Sequence, residues 1–150
     1  MLIEEKFTVK APLQKVWDFL LDPEKIGSCV PGCEKVEITG KNTYLSVIKT
    51  KVGPISAKFK FTTTLTDIQP PRHVKAVGGG TDVDKKGMFS QESTLDLKEL
   101  SVGEVEVSYK SDVKIGGVLA TFGDRILRAK SKEIGEKFAR SVKEKVEREA

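Results

Sequence analysis

Histidine and cysteine are almost missing: His73 is the only histidine, and Cys29 and Cys33 are the only cysteines. A structural zinc takes four Cys or His ligands and a catalytic one at least three, so no metal site is expected. The two thiols flank a Val-Pro-Gly turn and read as a reduced, partly buried pair, with a short disulfide as the alternative. No apolar run approaches the roughly 18–20 residues a spanning helix needs. The amino terminus shows neither a basic flank nor a long apolar core, so a cytoplasmic protein is expected. No serine sits in a G-x-S-x-G elbow, and His73 beside Pro71 and Arg72 reads as an exposed structural residue. Gly78-Gly79-Gly80 precedes neither a Lys-Ser/Thr pair nor a helix; this excludes a phosphate loop and leaves a flexible turn or bulge. Asn42 is the only asparagine and Gln14, Gln69 and Gln91 the only glutamines, against abundant Lys and Glu, a bias found in hyperthermophiles. The net charge of +4 permits anionic partners. Acidic residues are interspersed, however, and no aromatics interleave with a basic strand, so nucleic-acid binding is not expected.

What the chain does have is a long carboxy-terminal pattern. Leu119, Phe122, Ile126, Ile134, Phe138, Val142 and Val146 recur at helical spacing among Lys, Arg and Glu, which predicts one helix from Val118 to Ala150. Such a rod crosses a 150-residue domain completely, so the rest of the chain must supply a surface to cover it. Leu2 to Lys10 alternates as a strand, although Glu5 breaks the alternation. Pro12 opens a helix whose Leu13, Val16, Trp17, Leu20 and Leu21 share a face, and Asp22-Pro23 caps a second short helix ending by Gly27. Strands then follow around Val36–Ile38, Tyr44–Val52, Ile55–Thr66, Val74–Val77, Met88–Leu97 and Val102–Ile115. Asp82, Asp84, Lys85 and Lys86 read as a solvated hairpin tip. The order strand, two helices, six strands, long helix predicts a single α+β domain over residues 1–150, with a curved antiparallel sheet facing the helix.

The strand faces that carry the large apolar residues also carry Thr63, Gln91, Ser93, Tyr109 and Ser111. Polar groups in the middle of an inward face need partners. Either they satisfy one another, or they line a cavity holding ligand or water. Asp124 and Arg125, early in the long helix, fit a surface ion pair or polar recognition at the cavity mouth. The basic run Arg125, Arg128, Lys130 and Lys132 fits a solvated face or a contact with anionic lipid or an acidic partner.

Three blocks carry a family resemblance. They are Val16-Trp17-Asp18-Phe19-Leu20-Leu21-Asp22-Pro23-Glu24 through Val30-Pro31-Gly32-Cys33; Val52-Gly53-Pro54-Ile55 with Phe59; and Asp112-Val113-Lys114-Ile115-Gly116-Gly117-Val118-Leu119-Ala120 with Phe122-Gly123-Asp124-Arg125. In this order they resemble the carbon monoxide dehydrogenase CoxG family, within the helix-grip superfamily of START-like and polyketide cyclase proteins. The resemblance implies a seven-stranded curved sheet gripping a long C-terminal helix around an apolar cavity. It also implies association with a molybdenum-flavin CO dehydrogenase or related hydroxylase, by membrane recruitment and by binding a quinone or similar lipid. Some members carry a membrane-anchoring C-terminal extension. Here the sequence stops at the helix end, so the expectation is at most peripheral contact at the inner face of the cell membrane.

The function expected is therefore a non-enzymatic carrier of a hydrophobic, quinone- or lipid-like ligand, with no cofactor and no catalytic residue. Trp17, Leu20, Leu21, Phe59, Phe61, Phe89, Leu119, Phe122 and Ile126 are the expected wall, with Gln91, Tyr109 and Arg125 as polar anchors. Opening is expected from the Asp22–Gly32 segment or the glycine turn. Two alternatives stay open: a cyclase- or hydrolase-type enzyme using Tyr109 as acid or base, and a pure interaction module with a filled core.

Overall fold

Period-two alternation across the chain becomes one continuous antiparallel sheet in the computed structural model, which describes residues 1–149. The elements are β1 (Leu2–Val9), α1 (Leu13–Leu20), α2 (Pro23–Gly27), β2 (Cys33–Gly40), β3 (Thr43–Val52), β4 (Ile55–Gln69), β5 (His73–Asp82), β6 (Gly87–Ser101), β7 (Glu104–Gly117) and α3 (Gly123–Glu149). Strand order is β1-β7-β6-β5-β4-β3-β2. The first two strands in sequence are therefore the two edges of the sheet. α1 and α2 carry the chain between those edges, which accounts for their lying in series without a loop of any length. The Asp22 carboxylate caps α2, accepting from Glu24 N at 3.0 Å and Lys25 N at 3.2 Å. The α+β helix-grip architecture expected from the sequence is the one observed.

Two local expectations are corrected. Gly78–Gly80 is not a turn: it lies in β5, paired with Phe61–Thr63 of β4 on one side and Phe89–Gln91 of β6 on the other. A Cβ added to Gly78 would lie 2.0 Å from the Thr62 carbonyl oxygen, and one added to Gly80 would lie 2.1 Å from that of Lys60. The strand bends so closely over its neighbour that only glycine fits, which is how the sheet coils around the helix. Nor is Asp82 solvated. It is 2% exposed, and its carboxylate accepts backbone N–H groups of Lys58 (2.7 Å), Asp84 (2.9 Å) and Lys86 (3.1 Å). The β5–β6 turn is built around this side chain.

The carboxy-terminal pattern is also not one helix. Val118–Phe122 forms a 3₁₀ turn, and Gly123, at φ 82°, redirects the chain before α3 begins. Leu119 and Phe122 are thus out of phase with the helix that follows. The inward stripe of α3 runs through Leu127, Ile134, Gly135, Phe138, Val142 and Val146. Ile126 is 46% exposed. Ala150, where the sequence pattern ends the helix, lies outside the described residues.

Apolar packing divides into two clusters. One joins α1, the end of β1 and the second half of α3 through Val9, Val16, Trp17, Phe19, Val142 and Val146. The other joins the far end of the sheet, the 3₁₀ turn and the start of α3 through Val52, Ala57, Phe59, Leu119 and Leu127. Polar ties reinforce the first cluster. Lys145 Nζ donates to both Ser28 O and Ser28 Oγ at 3.0 Å, Lys25 pairs with Glu149 at 3.3 Å, and Lys143 Nζ donates to Thr8 O at 3.0 Å.

Candidate functional site

Between the two clusters the helix stands off the sheet except where Tyr109 meets Gly135 and Phe138, and a cavity of about 460 Å³ remains. That volume falls within the range of small-molecule sites. Its floor is the concave face of the sheet, chiefly β3–β7 with Ile3 of β1 and Val36 of β2, its roof is α3 from Leu127 to Phe138, and α2 with the Val30–Pro31 turn closes one end. Register places the wall in successive rows across the sheet. Ser46, Phe61, Gly80, Phe89 and Ile115 share one row; Tyr44, Thr63, Gly78, Gln91 and Val113 share the next; Leu65, Ala76, Ser93, Ser111 and Ile3 share a third. Phe89 meets Phe59 edge-on, and its ring centroid is 5.2 Å from those of both Phe59 and Phe61. These three rings form an aromatic end to the cavity.

Leu20, Phe59, Phe61, Phe89 and Leu119 face this space, as do Gln91 and Tyr109. The other five residues expected there do not. Trp17 is packed inside the first cluster, and Leu21 lies half-buried against it. The Phe122 ring packs on Gly53, where it would be 3.3 Å from an added Cβ. Arg125 and Ile126 point outward, because within α3 Ile126 lies eight residues before Ile134 and so about 80° around the helix from it, whereas Leu127, seven residues before, lies within about 20°. Leu127 takes the inward position instead. The wall also includes residues that the sequence analysis does not single out: Tyr44, Ser46 and Ile48, whose parity in β3 was legible, and Ile26 and Cys33 in the α2–β2 segment.

The polar groups of the floor both satisfy one another and face the cavity. Ser93 Oγ lies 2.7 Å from Ser111 Oγ and donates to Gln91 Oε1 at 3.3 Å. Tyr109 leans on Phe138 edge-on, with ring centroids 6.1 Å apart, and its hydroxyl fills the place a side chain at Gly135 would take, 2.8 Å from that Cβ position. Burial, with the Glu5 carboxylate opposite, pushes the Tyr109 phenol up to about 12. Burial also raises Tyr44. Cys29 and Cys33 are free thiols; burial, offset by a hydrogen bond to the Lys35 carbonyl, leaves Cys33 above its ordinary value. The one charged side chain on the wall is Lys130, in the roof, 3.7 Å from Glu133. Among the described residues no group of three metal-ligating side chains occurs, and no helix is long and apolar enough to cross a membrane.

A floor, a roof and a void in this arrangement can be compared with known proteins. The family model for CoxG, the G-type subunit of carbon monoxide dehydrogenase, matches residues 6–147. The chain belongs to the CoxG family. Among curated proteins none matches it. Solved structures share the fold throughout. A conserved protein from Geobacillus kaustophilus superposes with a TM-score of 0.90 at 23% identity, covering 97% of this chain and 95% of that one. The Zhui aromatase/cyclase from Streptomyces sp. R1128 gives 0.74 at 18%, covering 99% and 94%, and a START superfamily protein from Mycobacterium smegmatis gives 0.74 at 14%, covering 99% of each. At these identities the likeness is one of fold. This CoxG chain shares with them a curved sheet closed over a long helix, and the three residue blocks that carry the sequence resemblance lie inside the matched span.

Proposed function

We propose that this CoxG protein carries a hydrophobic, quinone- or lipid-like ligand between its sheet and α3, as a non-enzymatic accessory to a molybdenum-containing CO dehydrogenase or related hydroxylase. The observation that carries the reading is the void itself: about 460 Å³ of mainly apolar space held open between two packed clusters. Each 100 Å² of apolar ligand surface removed from water there contributes about 2.5 kcal/mol before ordering costs. Family membership supports the accessory role. The partner expected is a molybdenum-flavin dehydrogenase, met in the cytoplasm or at the inner face of the cell membrane through peripheral contact. The basic residues Arg125 and Arg128, exposed on the first turns of α3 close to the cavity, fit that contact.

Native mass spectrometry and solvent extraction of the protein purified from its own host test the carrier reading. A bound organic molecule of fitting volume is expected, and repeated recovery of empty protein overturns it. Co-purification with a tagged molybdenum dehydrogenase tests the partner separately. A cyclase- or hydrolase-type activity is the second reading, favoured by Tyr109 facing the cavity. A phenol held near 12 stays protonated at neutral pH, which weighs against Tyr109 as the base and leaves the acid role.

A further inference from the structure

The floor of the cavity is not uniformly greasy, and its polar groups have a direction. Ser93 donates its proton to Gln91 Oε1, so the Ser93–Ser111 contact at 2.7 Å must have Ser111 as the donor. The chain of hydrogen bonds therefore runs Ser111 to Ser93 to Gln91 and ends on the Gln91 amide nitrogen. Among the described residues nothing accepts from that nitrogen, and its side chain faces the cavity. Linked bonds of this kind polarise one another, which strengthens the terminal donor.

Gln91 is not alone in its row. Across the sheet Thr63 and Tyr44 follow it, separated from it by Gly78, which has no side chain to interpose. The result is a belt of donors with a notch in it, crossing the floor midway. Rings of Phe61 and Phe89 border it on one side, and Leu65 and Leu95 lie toward the other. The sheet wall contributes no charge to this belt, and the cation in the roof, Lys130, is near Glu133.

We infer that this belt is a recognition site for a neutral ring compound bearing a carbonyl or similar oxygen acceptor, seated with its oxygen on Gln91, Thr63 and Tyr44 and its apolar parts to either side. A plain hydrocarbon leaves the donors unpaired, which costs free energy in a dry site. A carboxylate finds no counter-charge on the floor. The inference deepens the carrier reading and rests on it: Gln91, Thr63 and Tyr44 set which greasy molecule is kept.

Calorimetric titration of delipidated protein with 1-tetralone, tetralin and decanoate tests it, alongside a variant combining Tyr44→Phe, Thr63→Val and Gln91→Leu. These probes do not react with the free thiols. The ketone is expected to bind at least tenfold tighter than the hydrocarbon, and the variant to lose that preference while binding tetralin at least as tightly as the natural protein does, which shows the cavity intact. Equal binding of ketone and hydrocarbon by the natural protein, or tightest binding of decanoate, overturns the belt and leaves the carrier standing. A preference that survives the triple substitution also overturns it. If none of the three probes binds, and the host-purified protein is empty, both readings fall together.

Discussion

Leu127 and Ile126 are neighbours in sequence with opposite surroundings, and they give the sharpest test of how α3 sits over the cavity. Leu127 is 8% exposed and packs in the cluster formed by Val52, Ala57, Phe59 and Leu119. Truncating it to alanine removes three carbons from a buried site. At about 0.8 kcal/mol per buried methylene the transfer part is about 2.4 kcal/mol. Because the site already borders a void, little relaxation can refill it, and the total expected is about 2–4 kcal/mol. Ile126 is 46% exposed, so roughly half that transfer cost applies, and alanine recovers several tenths of a kcal/mol in helix propensity. Its truncation should cost no more than about 1 kcal/mol. Urea unfolding followed by circular dichroism, with unchanged m-values, reads both. If Ile126→Ala proves as costly as Leu127→Ala, Ile126 shares the inward face that the sequence suggested, and Leu127 alone does not close this end of the roof.

Three further outcomes follow from the structure. Asp82→Ala strips the acceptor from three backbone N–H groups and should cost about 2–4 kcal/mol in the same assay. Burial alone would raise the Asp82 carboxyl, but those bonds hold it below its ordinary 3.8. Its stabilisation is therefore present above that pH and lost as pH falls through the folded value, so the gap between natural protein and Asp82→Asn should close in acid and stay constant above pH 5. His73 behaves in the opposite sense: the bond to Asp96 at 2.7 Å, then Asp67, lifts it above 6.5. The stability lost in His73→Gln should be largest below pH 6.5 and fade as pH rises through the folded value, and a gap independent of pH refutes the pairing. Gly80→Ala forces a Cβ to within 2.1 Å of a backbone oxygen in the middle of the sheet, and a loss above about 2 kcal/mol is expected; a neutral substitution would mean the strands are not so tightly coiled there.

The fold was legible because its signals are local. Alternation in Ile55–Thr66, the Asp22-Pro23 cap and the short turns between strands each state their own element, and together they leave few topologies. The site was half legible for the same reason. Phe59, Phe61, Phe89, Gln91 and Tyr109 face the cavity because strand parity, once the inward side is known, assigns every second residue. Parity failed where the chain changes direction. Nothing in the run from Val118 to Ile126 announces that Gly123 takes a positive φ, so a stripe read straight through it from Leu119 and Phe122 selects Ile126 where α3 turns Leu127 inward. Trp17 and Leu20 share α1 and Leu21 caps it, and only the crossing of α1 over the sheet decides which of them reaches the void. The three glycines of β5 misled in another way: glycine usually marks a turn, and here it marks backbones in contact.

That contact bears on why the middle of the protein is hollow. Gly78 and Gly80 lie in the inward rows of β5, opposite Thr63 and Gln91, and opposite Phe61 and Phe89. Their missing side chains permit the bend that closes the sheet, and they also remove the side chains that a filled core would need there. Curvature and cavity thus have one cause. The consequence for stability is uneven. Lys143, Lys145 and Glu149 bind the second half of α3 to β1 and α2, while the first half is held by Leu127, by Arg128 Nη1 on the Leu2 carbonyl at 3.2 Å and, at its end, by Tyr109 against Gly135. A ligand entering the cavity adds contacts where the protein has fewest, so its binding free energy is added to a segment that is otherwise the weakest. Hydrogen exchange should register this as protection gained around Leu127–Gly135 on loading, with Val142–Val146 scarcely changed. Equal gains along the whole helix would mean that α3 opens as one rigid rod, and that its first half does not exist as a separate, weaker unit.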